Sequence, residues 1–176
     1  LQPVQKGSAL VSTYDNVMAG TIVDIPGYLE LLLGIVEVEQ DPLLLKLALE
    51  QLQYVYQSLL GDARRSALAP AVEQRLWATV AAQPDGSRTK LVFRYYAAIA
   101  ASPHRVQQLY DIWAGTLGVD RLVLEEDDLV ELAQILAIRL PEKSSAIIAT
   151  QLARINNPDS RRRLEFIAPS VAAEEG

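Results

Sequence analysis

A chain of 176 residues, half of them hydrophobic and 22% charged, has the balance of a folded domain rather than of a disordered tail, and one domain is the starting expectation. Its formal net charge of −6 would repel a phosphate backbone, so a nucleic-acid partner is not expected. The longest apolar runs, around 29–34 and 43–49, are interrupted by Glu30, Glu37 and Lys46 and fall far short of the roughly 20 residues that span a bilayer, which argues against a membrane span.

In chain order, apolar periodicity and helix punctuation predict helices near 6–19, 26–39, 42–60, 70–82, 87–101, 103–116, 126–139, 143–155 and 158–168. Asp41-Pro42, Ser102-Pro103 and Asn157-Pro158 each place a capping side chain before a proline. The side-chain oxygen accepts a free first-turn N–H, and Pro at the first helical position gives up a donor that had no partner. Gly20, Gly61, Pro84 with Gly86, Gly118 and Pro141 read as stops. Leu91–Tyr96 resembles a strand but runs into Ala97–Ala101, and Leu91, Tyr95 and Ala98 share one helical face, so it is read as helix. The stretch 61–69, carrying Arg64 and Arg65, reads as a solvated connector. Helices of this length with short connections must turn back on their neighbours, which predicts an all-α fold: an αα-superhelix of antiparallel helix pairs, like HEAT or armadillo repeats.

The residues that carry chemistry are scarce. With one His and no Cys, the chain holds no disulfide or thiolate nucleophile, and His104 cannot anchor a conventional zinc site, which takes at least two nitrogen or sulfur ligands. His104 lies in the first turn of a helix, where a surface position is expected. No Gly-x-Ser-x-Gly elbow exists to supply a triad, and none of the nine Gly residues builds a phosphate-cradling loop. Neither a catalytic nor a metal-binding residue is therefore assigned. The acidic run Glu125-Glu126-Asp127-Asp128 sits where a helix dipole favours negative charge. Arg161-Arg162-Arg163 reads as a charged helix face, with Asp159 placed to pair with Arg162 or Arg163. Tyr54, Tyr56, Trp77 and Trp113 read as packing or rim residues.

The stretch Gln151–Asp159, continuing through Arg163, Phe166, Ile167 and Pro169, resembles the end of the C-terminal domain of bacterial aminopeptidase-N-like zinc enzymes, where the pattern looks like Asn-Pro-Asp-Arg-x-x-Arg-Phe-x-Phe followed by Pro-Ala-Leu-Ser. Asn157, Pro158, Asp159, Arg163, Phe166 and Pro169 match. Ser160 replaces the first Arg, Leu164 the first Phe, and Ser170-Val171-Ala172 the closing residues. Two further stretches agree in order: Ala9–Gly20, with Tyr14-Asp15-Asn16-Val17-Met18, and Leu124–Pro141, with Glu126-Asp127-Asp128-Leu129 ahead of a helix ending Arg139-Leu140-Pro141. The region 61–120 adds only helical pattern.

The resemblance implies that residues 1–176 form a single C-terminal helical domain, a fragment of a larger enzyme; a start at Leu1 rather than Met, without a signal-peptide pattern, agrees with a fragment. In that family a zinc-activated water attacks the first peptide bond and a Glu holds the substrate's amino group, all in domains outside this stretch. The expected partners are then the catalytic domain of the same polypeptide and its peptide substrate, with the helical domain gating the chamber. The matched residues carry no implied substrate contact and are expected to be structural. Read from pattern alone, the chain is equally an autonomous helical-repeat scaffold that binds a peptide or a partner protein.

Overall fold

The computed structural model describes residues 2–171. Among them every regular element is helical: α1 (Pro3–Met18), α2 (Ile25–Val38), α3 (Pro42–Tyr54), α4 (Asp62–Ala82), α5 (Gly86–Ile99), α6 (Pro103–Ala114), α7 (Glu126–Arg139), α8 (Ser144–Arg154) and α9 (Pro158–Val171). A π turn, Val55–Leu59, extends α3, and a 3-10 turn, Pro141–Lys143, leads into α8. None of the described helices is long and apolar enough to cross a membrane. The helices gather into two compact units, 1–99 and 100–176.

In the first unit α3 packs against α1, α2 and α5, and α4 against α2 and α5. The core takes Leu29, Leu32, Leu33 and Val36 from α2, Leu45, Leu49 and Leu52 from α3, Leu76 and Val80 from α4, and Val92, Phe93 and Tyr96 from α5. Each set recurs at three and four, the spacing that puts side chains on one helical face. Inside this core the buried Tyr28 hydroxyl donates to Gln51 Oε1 at 2.8 Å, and burial pushes the Tyr28 hydroxyl pKa up to about 12. Arg75 on α4 reaches α2 twice, Nη1 to Glu30 and Nε to Glu37, both at 2.6 Å. The Glu37 carboxyl is held below its ordinary pKa by that hydrogen bond and the Arg75 charge.

Both Asp41 and Asp24 cap helices. Asp41 accepts the N–H of Leu43 and Leu44, and Asp24 accepts that of Gly27. Gly27 is there for a steric reason, since a Cβ on it would sit 2.3 Å from the Asp24 carboxylate. Asn157 caps α9 by accepting the Asp159 N–H at 2.9 Å, whereas the Ser102 hydroxyl makes no cap bond and lies instead 3.3 Å from His104 Nδ1.

The expected connector at 61–69 is helix, since α4 begins at Asp62 and runs through Pro70. Ala63, Ala67, Ala69 and Ala71 favour helix intrinsically, and Arg65 ties the first turn down by pairing with Asp62 and donating to the Gln57 carbonyl. Pro70 leaves the Ser66 carbonyl without its helical donor, but both residues are exposed, so water can take that place. The Leu91–Tyr96 stretch is helical as expected, with a shifted face. Because α5 packs against both α3 and α4, its buried arc centres on Val92, Phe93 and Tyr96, while Leu91, Tyr95 and Ala98 are half-buried. α6 ends before Gly118, at Ala114, where Gly115 takes the left-handed conformation (φ 79°) that a side chain would resist. α9 continues past the expected end at 168 and includes Pro169, which leaves the Glu165 carbonyl without its helical donor; both residues are exposed, so water can take that place. Ala172 of the closing motif lies outside the described residues.

In the second unit α7 contacts α6, α8 and α9. Val130, Ala137, Ile148, Ile155 and Leu164 form a continuous apolar cluster across α7, α8 and α9. Beside it, Trp113 Nε1 on α6 donates to the wholly buried Gln151 on α8 at 2.8 Å. The Arg139 guanidinium donates to the Ala100 carbonyl and holds the chain just ahead of α6 against the end of α7.

Candidate functional site

The six residues matched to the family pattern gather at the start and along the exposed side of α9. Asn157 and Pro158 supply the cap and first position. Asp159 pairs with Arg162 at 3.6 Å, not with Arg163, and both partners are largely exposed. Arg163 and Pro169 are exposed, and Phe166 is 86% exposed. Two of the positions that depart from the pattern seat α9: Leu164 is fully buried, and the Ser160 hydroxyl donates to Asp127 Oδ1 at 2.8 Å.

The acidic run does more than meet a helix dipole. Glu125 and Asp128 form a capping box at the start of α7, with the Glu125 N–H donating to Asp128 at 2.8 Å. Glu126 reaches away from its own helix and accepts the backbone N–H of Asn156 at 2.7 Å and of Asn157 at 3.0 Å. These two hydrogen bonds hold its carboxyl below the ordinary pKa of 4.5. Thus Glu126, Asp127 and Ser160 fasten the α8–α9 turn to the start of α7, and two of the stretches that carry the resemblance clasp one another.

His104 is exposed, as its position implied. No group of three or more His, Asp or Glu side chains gathers as metal ligands among the described residues, and the single His with no Cys does not fit a catalytic zinc. Trp113 and Tyr56 are buried packing residues; Tyr54 is 40% exposed and meets Tyr14 edge-on, and Trp77 leans on Tyr96 at 5.3 Å.

Two concavities remain. In the first unit an apolar groove of about 320 Å³ runs between α1 and α2, lined by Leu10, Leu31, Ile35 and Val38 and closed at one end by the Lys6–Glu39 ion pair at 3.0 Å. In the second, a pocket of about 420 Å³ lies between the end of α6, the 115–124 loop, Leu129 of α7 and Arg154 at the end of α8. Arg154 is exposed but doubly anchored: its Nη1 donates to the Trp113 carbonyl at 3.1 Å, and its guanidinium lies over the indole, 4.8 Å from the ring centre. Nothing in the sequence pattern marks this pocket, because Arg154 joins it from the end of α8, far along the chain from the 112–129 stretch that supplies the other walls, and Gly118 reads only as a helix stop. No family model, curated protein or solved structure matches the chain.

Proposed function

We infer that the chain is a noncatalytic helical domain of a zinc aminopeptidase of the aminopeptidase-N type, one that shapes and gates the chamber in which N-terminal residues are removed from peptides. The observation that carries this reading is the ordered set of sequence matches, above all Asn157-Pro158-Asp159 with Arg163, Phe166 and Pro169. The clasp of Glu126 on Asn156 and Asn157 supports it, because it gives two of the matched stretches one shared structural task. An 86% exposed Phe166 at a matched position also suits a face that another domain covers. In this reading the helices form the antiparallel superhelical array expected of such a cap, the parent enzyme carries the zinc, and this fragment hydrolyses nothing by itself.

Translating the coding region upstream of Leu1 tests the assignment. An in-frame His-Glu-x-x-His with a downstream Glu is the expected result, and an unrelated module upstream would overturn it. Zinc-dependent release of leucine from a leucyl anilide by the purified 176-residue chain would equally overturn it. The competing reading, a free-standing scaffold for a peptide or partner protein, draws on the α1–α2 groove with its exposed Leu31 and Val38.

A further inference from the structure

We propose that the pocket between α6, the 115–124 loop and Arg154 binds a small aliphatic carboxylate, with the carboxylate on the Arg154 guanidinium and the hydrocarbon chain among Trp113, Leu117, Leu122 and Leu129. The proposal does not depend on the aminopeptidase reading. Three features of the pocket converge on this chemistry. Its volume of about 420 Å³ falls in the range of small-molecule sites. Its walls are almost wholly hydrocarbon: Ile112 and Trp113 are buried, Val119, Leu122, Leu124 and Leu129 half-buried, and Leu117 is 39% exposed. An apolar ligand part would therefore cover surface that water now wets.

The third feature is charge. Arg154 has no acidic partner among the described residues, in a chain of net charge −6. The nearby acids are committed elsewhere: Asp120 pairs with Arg121 at 3.4 Å, and Asp128 receives the Glu125 N–H. A guanidinium offers five N–H donors in a planar fork, and only one of those of Arg154 is used, on the Trp113 carbonyl. The contact with the Trp113 ring and the bond to its carbonyl bias the exposed guanidinium toward the pocket mouth, which lowers the side-chain freedom lost when a carboxylate binds. Phosphates suit the same fork, but the apolar walls beside it select an anion that carries a hydrocarbon body.

A fatty acid and the C-terminal residue of a peptide share this chemistry, and the probes separate them. The 176-residue chain carrying Trp77→Phe leaves Trp113 as its only indole, and its emission is titrated with octanoate, hexanoate, N-acetyl-leucine and octan-1-ol. The expected result is a saturable change with octanoate or N-acetyl-leucine. Hexanoate should bind about fifteenfold more weakly than octanoate, from about fourfold for each of the two CH₂ groups lost. Octan-1-ol should bind at least tenfold more weakly than octanoate, and Arg154→Gln should weaken carboxylate binding about tenfold with an unchanged helical circular-dichroism spectrum. Tighter binding of N-acetyl-leucine assigns the site to a peptide end, and tighter binding of octanoate to a fatty acid. Amide shifts in a nitrogen-15 spectrum should cluster at Gly115 and Gly118. No saturable response, equal affinity for octanol, an unaffected Arg154→Gln variant, or shifts confined to the α1–α2 groove would each overturn the proposal.

Discussion

The Glu126 carboxylate accepts the backbone N–H of Asn157 at 3.0 Å across 31 residues of sequence, and through Asn156 it binds the same turn a second time. A carboxylate that accepts two N–H bonds is most useful when ionised, which is why its pKa lies below the ordinary value of 4.5. A depressed carboxylate pKa contributes stability that is fully present above the unfolded-state value and is lost as pH falls through the folded-state value. Unfolding of the wild-type chain is therefore expected to become easier below about pH 4.5, and Glu126→Gln to flatten that decline while lowering stability at pH 7. Urea melts at a series of pH values measure both effects.

Gln151→Ala should be among the more damaging single changes in the second unit. It leaves the buried Trp113 N–H without an acceptor, at about 1–3 kcal/mol, and opens a cavity besides. The drop in urea midpoint at unchanged slope gives the number.

The two apolar positions of α9 should behave oppositely. Leu164→Ala removes a fully buried side chain and is expected to cost about 2–5 kcal/mol, whereas Phe166→Ala in the same chain should stay within about 0.5 kcal/mol. Comparable losses at both positions, by thermal unfolding, would contradict the orientation of α9 described above.

At the start of α2, Asp24→Ala should cost about 1 kcal/mol by removing the cap, whereas Gly27→Ala, which displaces the same carboxylate but gains up to about 1 kcal/mol of helix propensity, should cost less. In the Asp24→Ala background Gly27→Ala should stabilise the chain, a coupling that a double-mutant cycle measures directly.

Sequence pattern found eight of the helices to within a few residues because their apolar residues repeat at the helical period and their caps are written in single residues such as Asp41 and Asn157. The first half of α4 was hidden by Pro70, which reads as a start but stands at the ninth position of a longer helix, kept there by the Arg65 contacts and by alanine content. Pro70→Ala restores a donor to the Ser66 carbonyl and should raise stability by about 1–2 kcal/mol after the loss of proline's restraint on the unfolded chain, as a chemical melt would show. The Arg154 pocket was illegible for a different reason. No local pattern connects Trp113, Leu122, Leu129 and Arg154; only the folded path of the 115–124 loop brings them together.

The grip of Arg75 on Glu30 and Glu37 sets a length scale for the first unit. Those two carboxylates stand two turns apart on α2, about 10 Å along its axis, and one guanidinium engages both. Apolar faces alone tolerate a slide of one helix past another by a turn, because the next row of leucines offers similar burial. A one-turn slide of α4 along α2 would strand one end of this grip, and a rotation of α2 would swing both carboxylates away. Arg75 thus favours one axial setting of the two helices, and collapsed forms with equally greasy but misregistered contacts lack that pairing.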